Sequence, residues 1–257
     1  MDLEWFHYLL MFLAGAMAGA INTLAGSGSV FTLSVLIFSG LPVDIANGTN
    51  RVGTLAQSII ATYTFKKYGR LPFKKSLKFT IPSFFGALTG AFIATETDKN
   101  LLETIIGIIM TILLLITIFK PQQYVKADLR DTKYTWLQYI AFFAIGFYGG
   151  FIQAGTGLFL LVALSVLSNF DIVSANAVKI LTFTLFSLPV LFIFIFTNQV
   201  NWQMGLWVAA GQSVGTFFSA KFALKSANAG VWMRRLLILM MVITILKVFG
   251  FFDLLIN

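Results

Sequence analysis

The sequence predicts an all-α polytopic membrane protein, built from two inverted-topology repeats of about five helical segments each. Three observations lead there: an apolar composition laid out in long runs, a glycine-rich break that recurs 129 residues later, and a reversal of loop charge between the halves.

Of 257 residues, 58% are hydrophobic and only 11% charged, with a mean hydropathy of +0.87. A water-soluble fold of this length cannot cover that much apolar side chain. The runs at 102–119, 181–197, 205–220 and 236–252 approach the roughly 20 residues that cross about 30 Å of hydrocarbon. Asp2 and Glu4 stand where a secretory leader would be basic, so the first apolar segment is expected to stay with the mature chain. The absence of cysteine excludes disulfides, thiolate chemistry and cysteine metal sites. The formal charge of +8 gathers in short loops such as KKYGRLPFKK (66–75). That pattern fits cytoplasmic loops better than a nucleic-acid stripe.

Apolar segments fall near 5–24, 29–41, 46–65, 77–95, 101–119, 136–152, 158–169, 174–197, 203–222 and 231–252. The second and seventh are short, rising less than a full hydrocarbon thickness, and each follows a glycine-rich break: INTLAGSGSVF (21–31) and FIQAGTGLF (151–159). A shift of 129 residues places Gly26 and Gly28 on Gly155 and Gly157, Ala46 and Asn47 on Ala175 and Asn176, and Gly86 on Gly215. The chain thus divides into a first repeat (1–119), a cytoplasmic linker (120–135) and a second repeat (136–257).

Loop charge orients the two copies. Lys66, Lys67, Arg70, Lys74, Lys75 and Lys78 follow the third segment, whereas the equivalent NQVNWQMG (198–205) carries no charge. The next loop reverses: Glu96, Asp98, Lys99 and Glu103 correspond to a loop with Lys221, Lys225, Arg234 and Arg235. Equivalent loops therefore face opposite sides. Inversion needs an odd number of crossings per half, with both termini outside. Five crossings satisfy it, and so does a version in which the first two segments form one membrane-dipping hairpin. Four crossings put the basic 221–235 loop outside, against the charge rule.

Non-helical backbone inside a bilayer is tolerated only where protein or a water-filled cavity surrounds it. Gly26-Ser27-Gly28-Ser29 and Gly155-Thr156-Gly157 are therefore expected where the halves meet, each opening a short helix whose N-terminus suits a small anion. Close helix packing is the competing role for such glycines. Lys179, equivalent to Asn50, has no charged neighbour within seven residues, and Arg51 adjoins Asn50. A cation inside a bundle marks a functional site or an internal counter-ion, unless it snorkels to the interface. Asn22, Asn47, Thr49, Gln57, Gln153, Asn176 and Gln212 add polar groups that either donate to an oxyanion or join helices. Intramembrane carboxylates are nearly absent, so an anion fits better than a cation. His7 reads as interfacial. No metal, cofactor or enzyme motif is present. The missing nucleotide loop argues against a self-sufficient pump.

Residues 18–55 (AGAINTLAGSGSVFTLSVLIFSGLPVDIANGTNRVGTL), 146–164 (GFYGGFIQAGTGLFLLVAL) and 199–225 (QVNWQMGLWVAAGQSVGTFFSAKFALK) resemble the sulfite exporter TauE/SafE family of membrane permeases. The resemblance implies a bacterial plasma-membrane secondary transporter of sulfur-containing or organic anions such as sulfite, thiosulfate or a sulfonate. It also implies proton coupling, with no carrier identified. The family motifs map onto Asn22, Gly26, Gly28, Gly48, Thr49 and Asn50, and onto Gly149, Gly150, Gly155, Thr156 and Gly157. Ser27, Ser29 and Gln153-Ala154 depart from the family pattern beside the expected site, where they bear on substrate choice. The expected partners are the anion and membrane lipids, with no nucleic acid; oligomeric state is not legible. A small-solute channel and a membrane scaffold are the competing classes.

Overall fold

The computed structural model describes residues 5–24, 26–67, 73–119, 135–168, 170 and 172–222. Among these there are nine helices and no strand. They are α1 (Trp5–Leu24), α2 (Gly28–Phe38), α3 (Val43–Lys67), α4 (Phe73–Glu96), α5 (Lys99–Phe119), α6 (Trp136–Phe151), α7 (Thr156–Val166), α8 (Ile172–Phe196) and α9 (Trp202–Phe222). The expected segment at 231–252 and nearly all of the linker lie outside the described residues. Trp5–Thr23, Ser76–Glu96 and Ser174–Phe196 are long and apolar enough to cross a bilayer. The chain is an all-α polytopic membrane protein.

The polarity of the bundle matches that solvent. Leu13, Ile59, Ile81, Phe85, Phe92, Ile108, Phe192 and Phe218 are exposed, while Asn47, Thr49, Asn50, Arg51, Lys179 and Gln212 are buried. Trp5, Trp136 and Trp202 stand exposed at helix starts, the depth at which indole rings favour a membrane interface.

Two helix pairs pack backbone to backbone. Along α1 and α9, which run parallel, a Cβ on Gly211 or Gly215 would lie 2.0 or 1.8 Å from the carbonyl oxygens of Phe12 or Ala16. Along α4 and α6, also parallel, a Cβ on Gly146 or Gly150 would lie 2.1 or 1.9 Å from those of Ser83 or Ala87. Without a hydrophobic driving force between helices in lipid, such close approach supplies dispersion that larger residues would forbid.

The short helices turn back on the helices before them. Phe31 and Val35 of α2 cluster with Leu10, Ala14, Met17 and Ala18 of α1, and the Ser29 N–H donates to Asn22 Oδ1 at 3.3 Å. In the second half, Gln138 at the start of α6 donates to the Leu167 carbonyl just past α7, and the Tyr148 and Phe159 rings meet at 5.4 Å. α1–α2 and α6–α7 are thus antiparallel helical hairpins, and the two glycine-rich breaks are their tips. The 11 residues of α2 and of α7 rise only about 16 Å each, less than the roughly 30 Å of a hydrocarbon core.

α3 and α8 pass beside the tips and touch each other through Thr62 and Thr184, whose hydroxyls meet at 2.7 Å. Pro82 and Pro189 lie inside α4 and α8 without ending them, as the apolar runs on either side of each proline would have it. At the end of the bundle opposite Lys66 and Lys67, the 197–201 turn lies on α3. A Cβ on Gly48 would meet the Gln199 carbonyl oxygen at 2.0 Å, the Asn201 N–H donates to Thr49 Oγ1 at 2.9 Å, and Gln199 Nε2 donates to the Thr95 carbonyl at 3.2 Å.

Candidate functional site

The hairpin tips meet. A Cβ on Gly26 would lie 2.6 Å from the carbonyl carbon of Gly157, and one on Gly157 would lie 2.4 Å from the Gly26 oxygen. Gly26 and Gly155, equivalent under the 129-residue shift, have φ of +79° and +72°. L-residues reach that region only at a cost, which explains glycine at both. Gln153 also has a positive φ, +66°, in a turn fixed by its own carbonyl, which accepts from Thr156 Oγ1 at 2.9 Å and Ser29 Oγ at 3.2 Å. Its side-chain amide is buried and has no partner. Strain combined with an unpartnered buried amide is unusual away from functional positions.

Beside the tips lies a cavity of about 30 Å³, lined by polar residues of five helices and by both tips. A water needs about 10–15 Å³ on this scale, so the space matches about two or three waters. Of the candidate residues read from sequence, Asn22, Gly26, Ser29, Gln57, Gly157 and Lys179 line it. Thr54, Ser58 and Thr216 add hydroxyls that the sequence reading missed, and Ala61, Ile180 and Phe183 form an apolar wall. Thr54, Gln57, Ser58 and Ala61 have the i, i+3, i+4, i+7 spacing of one helix face. That polar stripe in an apolar segment was a readable signal. Thr216 gave none.

Lys179 is 3% exposed, and its Nζ donates to the Asn22 carbonyl at 2.9 Å. One turn earlier, Asn176 Nδ2 donates to the Thr23 carbonyl at 3.0 Å. Both therefore sit on the C-terminal carbonyls of α1, where a cation is favoured by the helix dipole. The mirrored arrangement occurs in the other half. Asn47, equivalent to Asn176, donates to the Phe151 carbonyl at 2.8 Å, and Arg51 donates to the carbonyls of Gly149 (3.2 Å), Gly150 and Phe151 (3.4 Å) at the end of α6. The Arg51 guanidinium also lies 4.3 Å over the Phe194 ring.

The two cations are therefore placed differently. Lys179 reaches the cavity, whereas Arg51 is absorbed by the α6 carbonyls and an aromatic face, away from it. Asn50 is likewise engaged elsewhere: its Nδ2 donates to the Ser29 carbonyl at 3.2 Å and its Oδ1 accepts from Thr32. Gln212 Nε2 donates to Thr32 Oγ1 at 3.3 Å, extending the same buried chain to α9. Thr49 holds the 197–201 turn. Ser27, Gly28, Gly155 and Thr156 shape the tips without lining the cavity. Neither Ser27 nor Gly155 gives its helix a side-chain cap. Among the described residues, no three metal-ligating side chains come together.

The arrangement suits a small anion: among the described lining residues there are one ammonium, several neutral donors and no carboxylate. Comparisons with known proteins agree in class. A probable membrane transporter protein designated ORF9 from Sinorhizobium sp is 29% identical over 222 residues, 85% of this chain and 84% of that one. A probable membrane transporter protein from Haemophilus influenzae is 24% identical over 216 residues, 84% of each. The probable membrane transporter protein YfcA of Escherichia coli K12 is 24% identical over 219 residues, 85% of this chain and 81% of that one. No solved structure matches. The sulfite exporter TauE/SafE family model matches residues 11–248. The chain belongs to the sulfite exporter TauE/SafE family of membrane transporters.

Proposed function

We propose that the protein is a secondary permease of the bacterial inner membrane that carries a small sulfur-containing or organic anion by alternating access. The observation that carries this reading is the cavity at the meeting of the two hairpin tips, with the Lys179 ammonium on its wall. The anion occupies an enlarged form of that cavity. It is held by Lys179, Asn22, Ser29, Gln57 and the hydroxyls of Thr54, Ser58 and Thr216.

The two halves form an inverted-topology repeat whose hairpins enter from opposite faces. Three features support it: α1–α9 and α4–α6 are equivalent pairs under the 129-residue shift and pack alike; Gly26 and Gly155 share one conformation; and amides and cations of α3 and α8 cap the opposite half's α6 and α1. Repeats of this kind place substrates at broken helices near the bilayer midplane and move by rocking or gating around them. In this reading the uncharged 197–201 turn faces outside and is closed on Gly48 and Thr49. The cavity lies on the cytoplasmic side of the tip contact, nearer Lys66 and Lys67. Both termini are outside. Arg51 acts as an internal counter-charge that holds α3 to the α6 hairpin.

Counterflow in proteoliposomes tests this. Vesicles loaded with unlabelled sulfite are expected to accumulate external labelled sulfite transiently above its equilibrium level, because a carrier exchanges one anion for another. Simple equilibration without overshoot means a channel. Uptake equal to that of empty vesicles for sulfite, thiosulfate and sulfoacetate alike means that the protein does not move these anions.

A further inference from the structure

We infer that the cavity selects monovalent oxyanions over divalent ones, because it offers one positive charge and no second. This rests on the transport reading above and narrows its substrate class.

Among the described residues lining the cavity, Lys179 is the sole ionisable side chain. The buried charges of α3 are committed elsewhere. Arg51 is spent on the carbonyls of Gly149, Gly150 and Phe151 and on the Phe194 ring. Asp44 pairs with Lys99 at 3.4 Å, at the far end of that helix.

Backbone dipoles do not add a second charge. The N-termini of α2 and α7 would each contribute about half a positive charge if open. In both, however, two of the leading N–H groups already have acceptors within the chain: Ser29 to Asn22 Oδ1 and Val30 to Ser27 O, Thr156 to Gln153 O and Leu158 to Gly155 O. The C-terminus of α1 works in the opposite sense, since the Asn22 carbonyl that meets Lys179 carries its partial negative charge. The sum on the cavity is close to one positive charge.

A monoanion neutralises that charge. A dianion leaves one negative charge buried and unpaired, which is strongly unfavourable in a desolvated site. The wall made by Ala61, Ile180 and Phe183 cannot hydrogen-bond, so it suits a methyl or short alkyl group and not a fourth oxygen. Hydrogen sulfite and small alkanesulfonates meet both conditions. Sulfate, thiosulfate and sulfoacetate, all divalent when fully ionised, do not.

Calorimetric binding to the purified full-length protein at constant ionic strength tests this with methanesulfonate, sulfate and thiosulfate. Methanesulfonate is expected to bind at least roughly tenfold more tightly than either dianion. A second measurement needs no variant. The affinity for total sulfite, divided by that for methanesulfonate, should rise as pH falls through the second ionisation of sulfite, because hydrogen sulfite is the bound form. The ratio removes any titration of the protein common to both ligands. Sulfate or thiosulfate binding as tightly as methanesulfonate, or a sulfite ratio that does not change with pH, would overturn the charge-selection inference and leave the transporter reading standing. No binding by any of the four anions would overturn the transporter reading itself.

Discussion

Lys179→Gln is expected to lower anion transport by roughly 100-fold, equivalent to about 2.7 kcal/mol, within the range for removing one partner of a buried charge pair. Among the described residues, Lys179 supplies the one formal charge on the cavity wall, and glutamine of similar reach keeps hydrogen bonding while removing that charge. The same side chain caps α1 through the Asn22 carbonyl, so part of any effect is structural. Two readouts separate the roles. Melting temperature reports the cap, which glutamine partly preserves, and anion affinity measured on folded protein reports the charge. Lys179→Arg should restore measurable binding where Lys179→Gln does not. Undiminished binding and transport in both Lys179→Ala and Lys179→Gln would remove Lys179 from the site.

Gly157→Ala is expected to destabilise the protein by about 3 kcal/mol or more, the upper range for overpacking, or to prevent folding. The added Cβ would lie 2.4 Å from the Gly26 oxygen and 2.9 Å from its Cα. These are backbone atoms of a tight tip and cannot rotate aside as a side chain can. A melting temperature lower by roughly 10 °C is the corresponding reading. Gly205→Ala is the control. Its Cβ would meet Val52 Cγ2 at 3.1 Å and Thr49 Cγ2 at 3.4 Å, side-chain atoms that can shift, so little change is expected. Equal loss in both variants would mean that the tip contact is no more constrained than an ordinary helix interface.

Much of this architecture was legible because hydrocarbon simplifies the code. A run of apolar residues in lipid must be helical, so α1, α5, α6 and α9 fall within a few residues of their expected bounds. α3 was less sharply bounded. It begins at Val43 and ends at Lys67 because polar ends continue a helix beyond its apolar stretch. The breaks were visible because two equivalent glycine clusters interrupt otherwise unbroken apolar sequence. Their direct contact was not visible, since Gly26 and Gly157 are brought together only by tertiary packing.

The site divides along the same line. Asn22, Ser29, Gln57 and Lys179 were recognisable as polar groups that lipid would not tolerate without a purpose. Sequence could not say which of two buried cations faces the cavity. Arg51 and Lys179 look alike as isolated charges, and the difference arises from where the α6 carbonyls and the Phe194 ring fall. Asn50 shares a place in the repeat with Lys179, yet its amide is bound to Thr32 and the Ser29 carbonyl. Equivalence in the repeat fixes position, whereas chemistry depends on the neighbours that packing supplies.

The central claim is that the anion binds where the two tips meet, beside Lys179. A structure solved with methanesulfonate or sulfite bound tests it most directly. The account predicts anion density between residues 26–29 and 155–157, with an oxygen within hydrogen-bond distance of Lys179 Nζ and Gly26 moved away from Gly157. Anion density elsewhere in the bundle, with the Gly26–Gly157 contact unbroken and Lys179 still on the Asn22 carbonyl, would contradict it.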